Sequence, residues 1–148
     1  MPVRWAWSLS MTKRQLYEFI RHHKLAVIAS VSQNQWPESA LVGIAVTSDL
    51  ELIFDTIETT RKCENLRTCP RASFVIGWDN ETTVQYEGLA DEPRGEDLDR
   101  CKRVYFSVHP DGPERERWPG ITYFRIRPTW ARYSNFKDNP PQIFEIPV

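Results

Sequence analysis

Thr56-Ile57-Glu58-Thr59-Thr60-Arg61-Lys62 gathers three hydroxyls and two cations into seven residues. A strand-like run, Glu51-Leu52-Ile53-Phe54-Asp55, leads into it, and a helix-compatible stretch at 60–68 leads out. At a helix start the first amide N–H groups have no intrahelical acceptor. Together with the positive end of the helix dipole they make a seat for an anion such as a phosphate. Arg61 adds a planar fork for two oxygens and Lys62 a mobile point charge. The same residues also read as a threonine-capped surface helix with two solvated cations. Two cations at the positive end of a dipole are mildly unfavourable without an anion nearby, which tilts the balance back towards the seat and leaves both readings open.

The elements around this segment must hold it in place. Thr12 and Gln15 form a capping box, and Leu16, Phe19, Ile20 and His23 recur on one face of the helix it starts. His22 and His23 are adjacent and point about a quarter-turn apart, so they do not form a metal pair on a helix. The β-branched run at 25–31, a second strand at 38–47 and a third at 51–55 make an antiparallel meander with short turns. Strands follow at 72–78 and 82–90, then a charged helix at 94–106 with Leu98, Cys101, Val104 and Tyr105 on its apolar side. Residues 107–119 read as an irregular loop, and 121–127 and 129–136 as two strands separated by Pro128, before a proline-punctuated tail. About seven strands and three short helices, mostly joined by hairpins, point to a mainly β, closed or nearly closed antiparallel barrel. The length, 148 residues, suits one domain over the whole chain.

Composition excludes several classes. Nineteen basic against twenty acidic residues leave a net charge of −1, with no basic excess for tracking nucleic acid. The opening Met1-Pro2-Val3-Arg4-Trp5-Ala6-Trp7 has no apolar run of secretory or membrane-spanning length, so no membrane partner is expected. Cys63, Cys69 and Cys101 form no C-x-x-C pair and fit neither zinc nor a disulfide scaffold, so free thiols in a reducing cytoplasm are expected. No serine–histidine–aspartate set, cysteine–histidine set or carboxylate pair supports a hydrolase.

The order of motifs carries more than any one of them. Pro37-Glu38-Ser39-Ala40-Leu41-Val42 is followed by Phe54-Asp55-Thr56, then Thr60-Arg61-Lys62, Asn65-Leu66 and Pro70-Arg71-Ala72-Ser73. Val84-Gln85-Tyr86-Glu87-Gly88 completes the series. Across about residues 12–136 this order resembles the pyridoxamine-phosphate-oxidase-like FMN-binding split-barrel superfamily. The resemblance implies an antiparallel split β-barrel that binds FMN and exchanges hydride through flavin N5 with a small-molecule substrate or reductant. It implies that Thr56, Thr60, Arg61 and Lys62 hold the phosphate and ribityl chain, and that Ala40, Leu41 and Val42 edge the isoalloxazine ring. Thr83 and Gln85 would reach a flavin held across the interface of a homodimer with two shared sites, with Trp78 ending the neighbouring strand.

The sequence departs from vitamin B6 oxidases at three places. Ala40 stands where those enzymes carry arginine, Thr83 where they carry glutamine, and the end Phe144-Glu145-Ile146-Pro147-Val148 lacks their arginine-leucine-x-proline group. A relative with another substrate is expected. Trp118, beside Pro119-Gly120, is placed to cover a flavin face, although aromatic residues also fill barrels and dimer seams. Two alternatives stay open on the same fold. One is the deazaflavin coenzyme, with Arg67 and Arg71 as extra cations for its acidic tail. The other is a non-catalytic flavin or haem module, with His109 as the suspected iron ligand. Arg115, Glu116 and Arg117 read as a charged loop face.

Overall fold

In the computed structural model, which describes residues 10–148, the capping box opens α1 (Lys13–Arg21). The Gln15 N–H donates to Thr12 Oγ1 at 3.1 Å and the Thr12 N–H to Gln15 Oε1 at 2.8 Å, so both orphan amides are satisfied. Residues 1–7, with their tryptophans, lie outside the described residues.

The strands are β1 (Leu25–Val31), β2 (Pro37–Gly43), β3 (Ala45–Val46), β4 (Leu52–Ile57), β5 (Arg71–Ile76), β6 (Thr82–Asp91), β7 (Ile121–Asn135) and β8 (Gln142–Ile146). They form one sheet in the order β2-β1-β5-β6-β7-β4-β3, with β8 added on β7, and the assigned pairings are antiparallel. β7 is the spine. One side pairs along β6, while the other pairs first with β4 and then with β8. The sheet curls on itself: Phe54 of β4 stacks on Phe124 at 5.6 Å and meets Phe74 of β5, which is not its neighbour in the sheet, at 6.3 Å. Antiparallel alternation sends Ile28, Val42, Phe74, Ile76, Val84 and Tyr86 into this interior.

Four sequence expectations are corrected. The second strand does not run through 38–47. It breaks at Ile44, whose N–H donates to the Lys24 carbonyl while its own carbonyl meets His109 Nε2 at 2.8 Å. The chain thereby leaves β1 and joins β4 as β3. The stretch 107–119 is not wholly irregular. The helix α3 (Gly95–Val108) runs two residues past its expected end, and α4 (Gly112–Arg115) follows with Pro113 in its first turn, where a missing N–H is harmless.

Pro128 does not divide the chain into a pair of strands but lies inside β7. It pairs Gly88 at a bulge, where the register slips between Glu87 and Gly88. A Cβ on Gly88 would collide with the Arg127 carbonyl oxygen, so only glycine fits this crossing. The tail supplies β8, whose Ile146 is buried against the barrel.

β4 is apolar on both faces for a clear reason. Leu52 and Phe54 face the barrel, whereas Ile53 joins Ala45, Cys101, Tyr105 and Tyr123 in a second core under α3. No helix among the described residues is long and apolar enough to cross a membrane.

Candidate functional site

The hydroxyl–cation cluster lies at the junction where β4 ends and α2 (Arg61–Thr68) begins. Thr60 is the N-cap of α2 but makes no side-chain cap bond. Its hydroxyl instead meets that of Thr56, which is buried, at 2.9 Å. The first-turn amides of α2 therefore keep their N–H groups uncapped by Thr60, at the positive end of the helix.

Lys62 is half-buried and makes no ion pair among the described residues. Burial holds its ammonium pKa below the usual lysine range, against the opposing pull of Cys63 and Asp55. A cation destabilised by burial gains most from an incoming anion. Arg61 projects outward and donates to Glu38 Oε2 of β2 at 3.0 Å.

Two supports under the grip were not visible as such in the sequence. Asn65 is buried and donates to Glu38 Oε1 at 2.8 Å and to the buried Ser30 Oγ at 3.0 Å, which clamps α2 to β1 and β2. Asp55 accepts from Tyr105 Oη at 3.0 Å and from Arg115 Nε at 2.9 Å. Arg115, expected with Glu116 and Arg117 on a charged loop face, is instead a half-buried brace between α4 and β4. Asp55 pairs directly with Tyr123 on β7, whose hydroxyl finds no partner among the described residues and is pushed up to about 12 by burial, then by Glu116 and Asp55.

The remaining predicted residues lie on β2, β6 and the turns beside the sheet. Ala40 is half-buried and Val42 buried on the inner side of β2, while Leu41 points outward, 61% exposed. Leu41 begins a row that crosses the sheet through Val27, Val75 and Gln85 to Arg132. Trp78 and Thr83 sit at the far ends of β5 and β6, where β7 finishes, whereas the grip sits where β4 ends and β7 begins. Trp78 and Thr83 thus stand apart from the grip within the chain. The Thr83 hydroxyl is buried without a partner among the described residues. Trp118 is half exposed, and its turn is tied to the grip loop by the Glu58 N–H donating to the Gly120 carbonyl at 2.8 Å.

His109 is committed elsewhere: its Nε2 meets the Ile44 carbonyl, and its ring stacks on Tyr105 at 4.5 Å. Arg67 closes its fork on Glu92 at 2.8 and 3.1 Å.

Comparison with known proteins places this geometry. The curated proteins contain no match to the chain. Among solved structures, a heme binding protein from Mycobacterium smegmatis superposes with a TM-score of 0.77 at 14% identity, over 91% of this chain and 58% of that one. A protein of unknown function from Agrobacterium tumefaciens gives 0.71 at 16% identity, over 80% of this chain and 55% of that one. A pyridoxamine 5'-phosphate oxidase-related, FMN binding protein from Nostoc punctiforme gives 0.64 at 12% identity, over 90% and 85%. This chain therefore spans little more than half the length of the first two. At these identities the likeness establishes the fold, an antiparallel split barrel. The model of the pyridoxamine 5'-phosphate oxidase family matches residues 12–135, nearly the full described length, and the chain belongs to that family.

Proposed function

We propose that this protein is an FMN-dependent oxidoreductase that works as a homodimer with two shared sites, on a substrate other than pyridoxamine phosphate. The observation that carries the reading is the grip: uncapped first-turn amides, the Thr56–Thr60 hydroxyl pair and Lys62 converge at one helix start. That donor set fits a phosphate, and the FMN-binding relative from Nostoc punctiforme shares the fold.

When bound, the flavin supplies hydride exchange at its N5 edge. The chain's own residues would bind and orient it. Thr56 and Thr60 offer hydroxyls to the phosphate and ribityl chain, and Arg61 and Lys62 supply the charge. The outward faces of β2 and β6 carry Leu41 and Gln85, and Thr83 brings a hydroxyl that needs a partner. Gln85 and Thr83 lie on β6, away from the grip of their own protomer, so a shared site calls for a second copy across the outward face. Leu41 and Val75 are exposed apolar residues on that face, suited to burial between copies.

Two structural details favour FMN over the alternatives. Arg67, one of the two cations a deazaflavin coenzyme's acidic tail would use, is closed on Glu92. His109, the suspected haem ligand, spends its Nε2 on a backbone carbonyl. The visible spectrum of the purified protein tests the proposal. Paired flavin bands, or their appearance with tight binding on adding FMN, are expected; neither band nor binding would reject it.

A further inference from the structure

Glu38 is an unexpected neighbour for an anion seat, because it places a fixed negative charge on one of the two cations that should hold the phosphate. It is no casual surface contact. The Glu38 side chain is 18% exposed, and its Oε1 is held by the Asn65 amide at 2.8 Å. Asn65 is buried and anchored in turn on the buried Ser30 hydroxyl. Arg61 is 74% exposed, so the carboxylate is the fixed partner and the guanidinium the adjustable one. An Arg fork has five donors, and Glu38 takes one, leaving others free for a second acceptor.

The charge count at the grip follows. Arg61 and Lys62 contribute two positive charges and Glu38, fixed 3.0 Å from Arg61, removes one, while Arg115 is taken up by Asp55 and Asp111, which leaves one at the grip. The helix start adds about half a charge. Exposed Glu58 and Glu64 at the rim add nothing favourable. A phosphodiester, or a monoester carrying one proton, has a single negative charge, whereas a free monoester carries about 1.5 to 2 near neutral pH.

We infer that Glu38 sets the charge this grip accepts, favouring a singly charged phosphate over a doubly charged one by keeping Arg61 half-spent. The inference rests on the flavin-phosphate reading of the grip. Glu38 acts through Arg61 and is a specificity-determining residue rather than a catalytic one. In Glu38→Gln the one amide oxygen keeps the buried Asn65 bond, and the amide nitrogen turned to Arg61 releases the fork.

The test compares wild type and E38Q for affinity to FMN, to riboflavin, and to riboflavin 4',5'-cyclic phosphate, whose phosphate carries one charge, by quenching of flavin fluorescence. Wild type should bind the cyclic phosphate at least as tightly as FMN, the preference of a grip with one net charge. E38Q should tighten FMN by about tenfold, with riboflavin and the cyclic phosphate moving far less. A merely structural role would shift all three ligands alike, and that result, or a loss of FMN affinity in E38Q, would overturn the inference. Should E38Q fail to fold, the wild-type comparison still decides: a preference for FMN over the cyclic phosphate beyond about threefold overturns it. Absence of binding by all three ligands in folded wild type would instead remove the flavin-phosphate reading itself.

Discussion

Tyr105, on α3, donates a 3.0 Å hydrogen bond to Asp55, the residue immediately before the grip threonine Thr56. Helices far along the chain therefore brace the strand end on which the grip depends. Arg115 completes the brace by bonding Asp55 Oδ2 and approaching the Tyr105 hydroxyl at 3.2 Å. Removing Arg115 leaves a carboxylate that is only 12% exposed without its cation. Arg115→Ala should cost about 2–3 kcal/mol, somewhat less than breaking a fully buried pair. Tyr105→Phe should cost about 1–2 kcal/mol, because Asp55 keeps Arg115. Urea denaturation followed by circular dichroism reads both. Equal losses for the two variants would show that charge is not what makes the brace.

A second anchor lies inside the barrel. Tyr86 is fully buried, and its hydroxyl bridges the carbonyls of Leu50 at 2.8 Å and Ile126 at 3.0 Å, joining the turn before β4 to β7. Burial, and then Glu51, push its pKa well above the usual tyrosine range, so it remains a neutral donor. Tyr86→Phe keeps the ring against Phe74 but leaves two buried acceptors short of a donor. We expect a loss of about 1–3 kcal/mol, and a melting temperature lower by several degrees. A change under about 0.5 kcal/mol would mean that water or backbone movement replaces the bond.

What the sequence revealed follows from where the information is local. The capping box and the strand alternation are properties of a few adjacent residues, and each appears in the structure as an element, while the hydroxyl–cation cluster falls at the junction of a strand and a helix. Strand ends that depend on distant partners were not legible. Nothing near Ile44 announces that its two backbone groups will be taken by Lys24 and His109, which ends β2 early. Pro128 looks like a strand breaker until Gly88 is seen opposite it. A single glycine, forty residues away, lets the backbones cross and turns two expected strands into one. The same holds at the site. Glu38, Asn65, Asp55 and Arg115 are ordinary polar residues in sequence, and only the fold brings them under the grip as two clamps.

The outward face offers a test of the proposed dimer. Leu41, Val27 and Val75 lie side by side across β2, β1 and β5, followed by Gln85 on β6. Leu41→Lys combined with Val75→Lys places two like charges where partner copies would meet, without touching the barrel interior. Sedimentation should show a dimer for wild type and a monomer for the double variant, with flavin binding lost alongside. A wild type that is monomeric at micromolar concentration would contradict the shared site, as would a monomeric variant with intact flavin affinity.

Lys62 ties the grip to pH. Its pKa in the folded chain lies below the ordinary lysine value of 10.5, chiefly through burial, so between the lowered value and 10.5 the folded chain holds fewer protons than the unfolded chain. Stability of the unliganded protein should therefore rise with pH across that window, and Lys62→Ala should remove the rise. A bound phosphate reverses the preference, because it favours the ammonium. Binding then takes up a proton in the same window, and FMN affinity should fall as pH climbs through it. Lys62→Ala should weaken FMN by about 1.5–3 kcal/mol near neutral pH, roughly tenfold to a hundredfold, if Lys62 makes a charge-assisted bond to the phosphate. The variant should also lose the alkaline decline. Unchanged FMN affinity, or a decline that persists without Lys62, would place the phosphate on other groups and remove Lys62 from the grip.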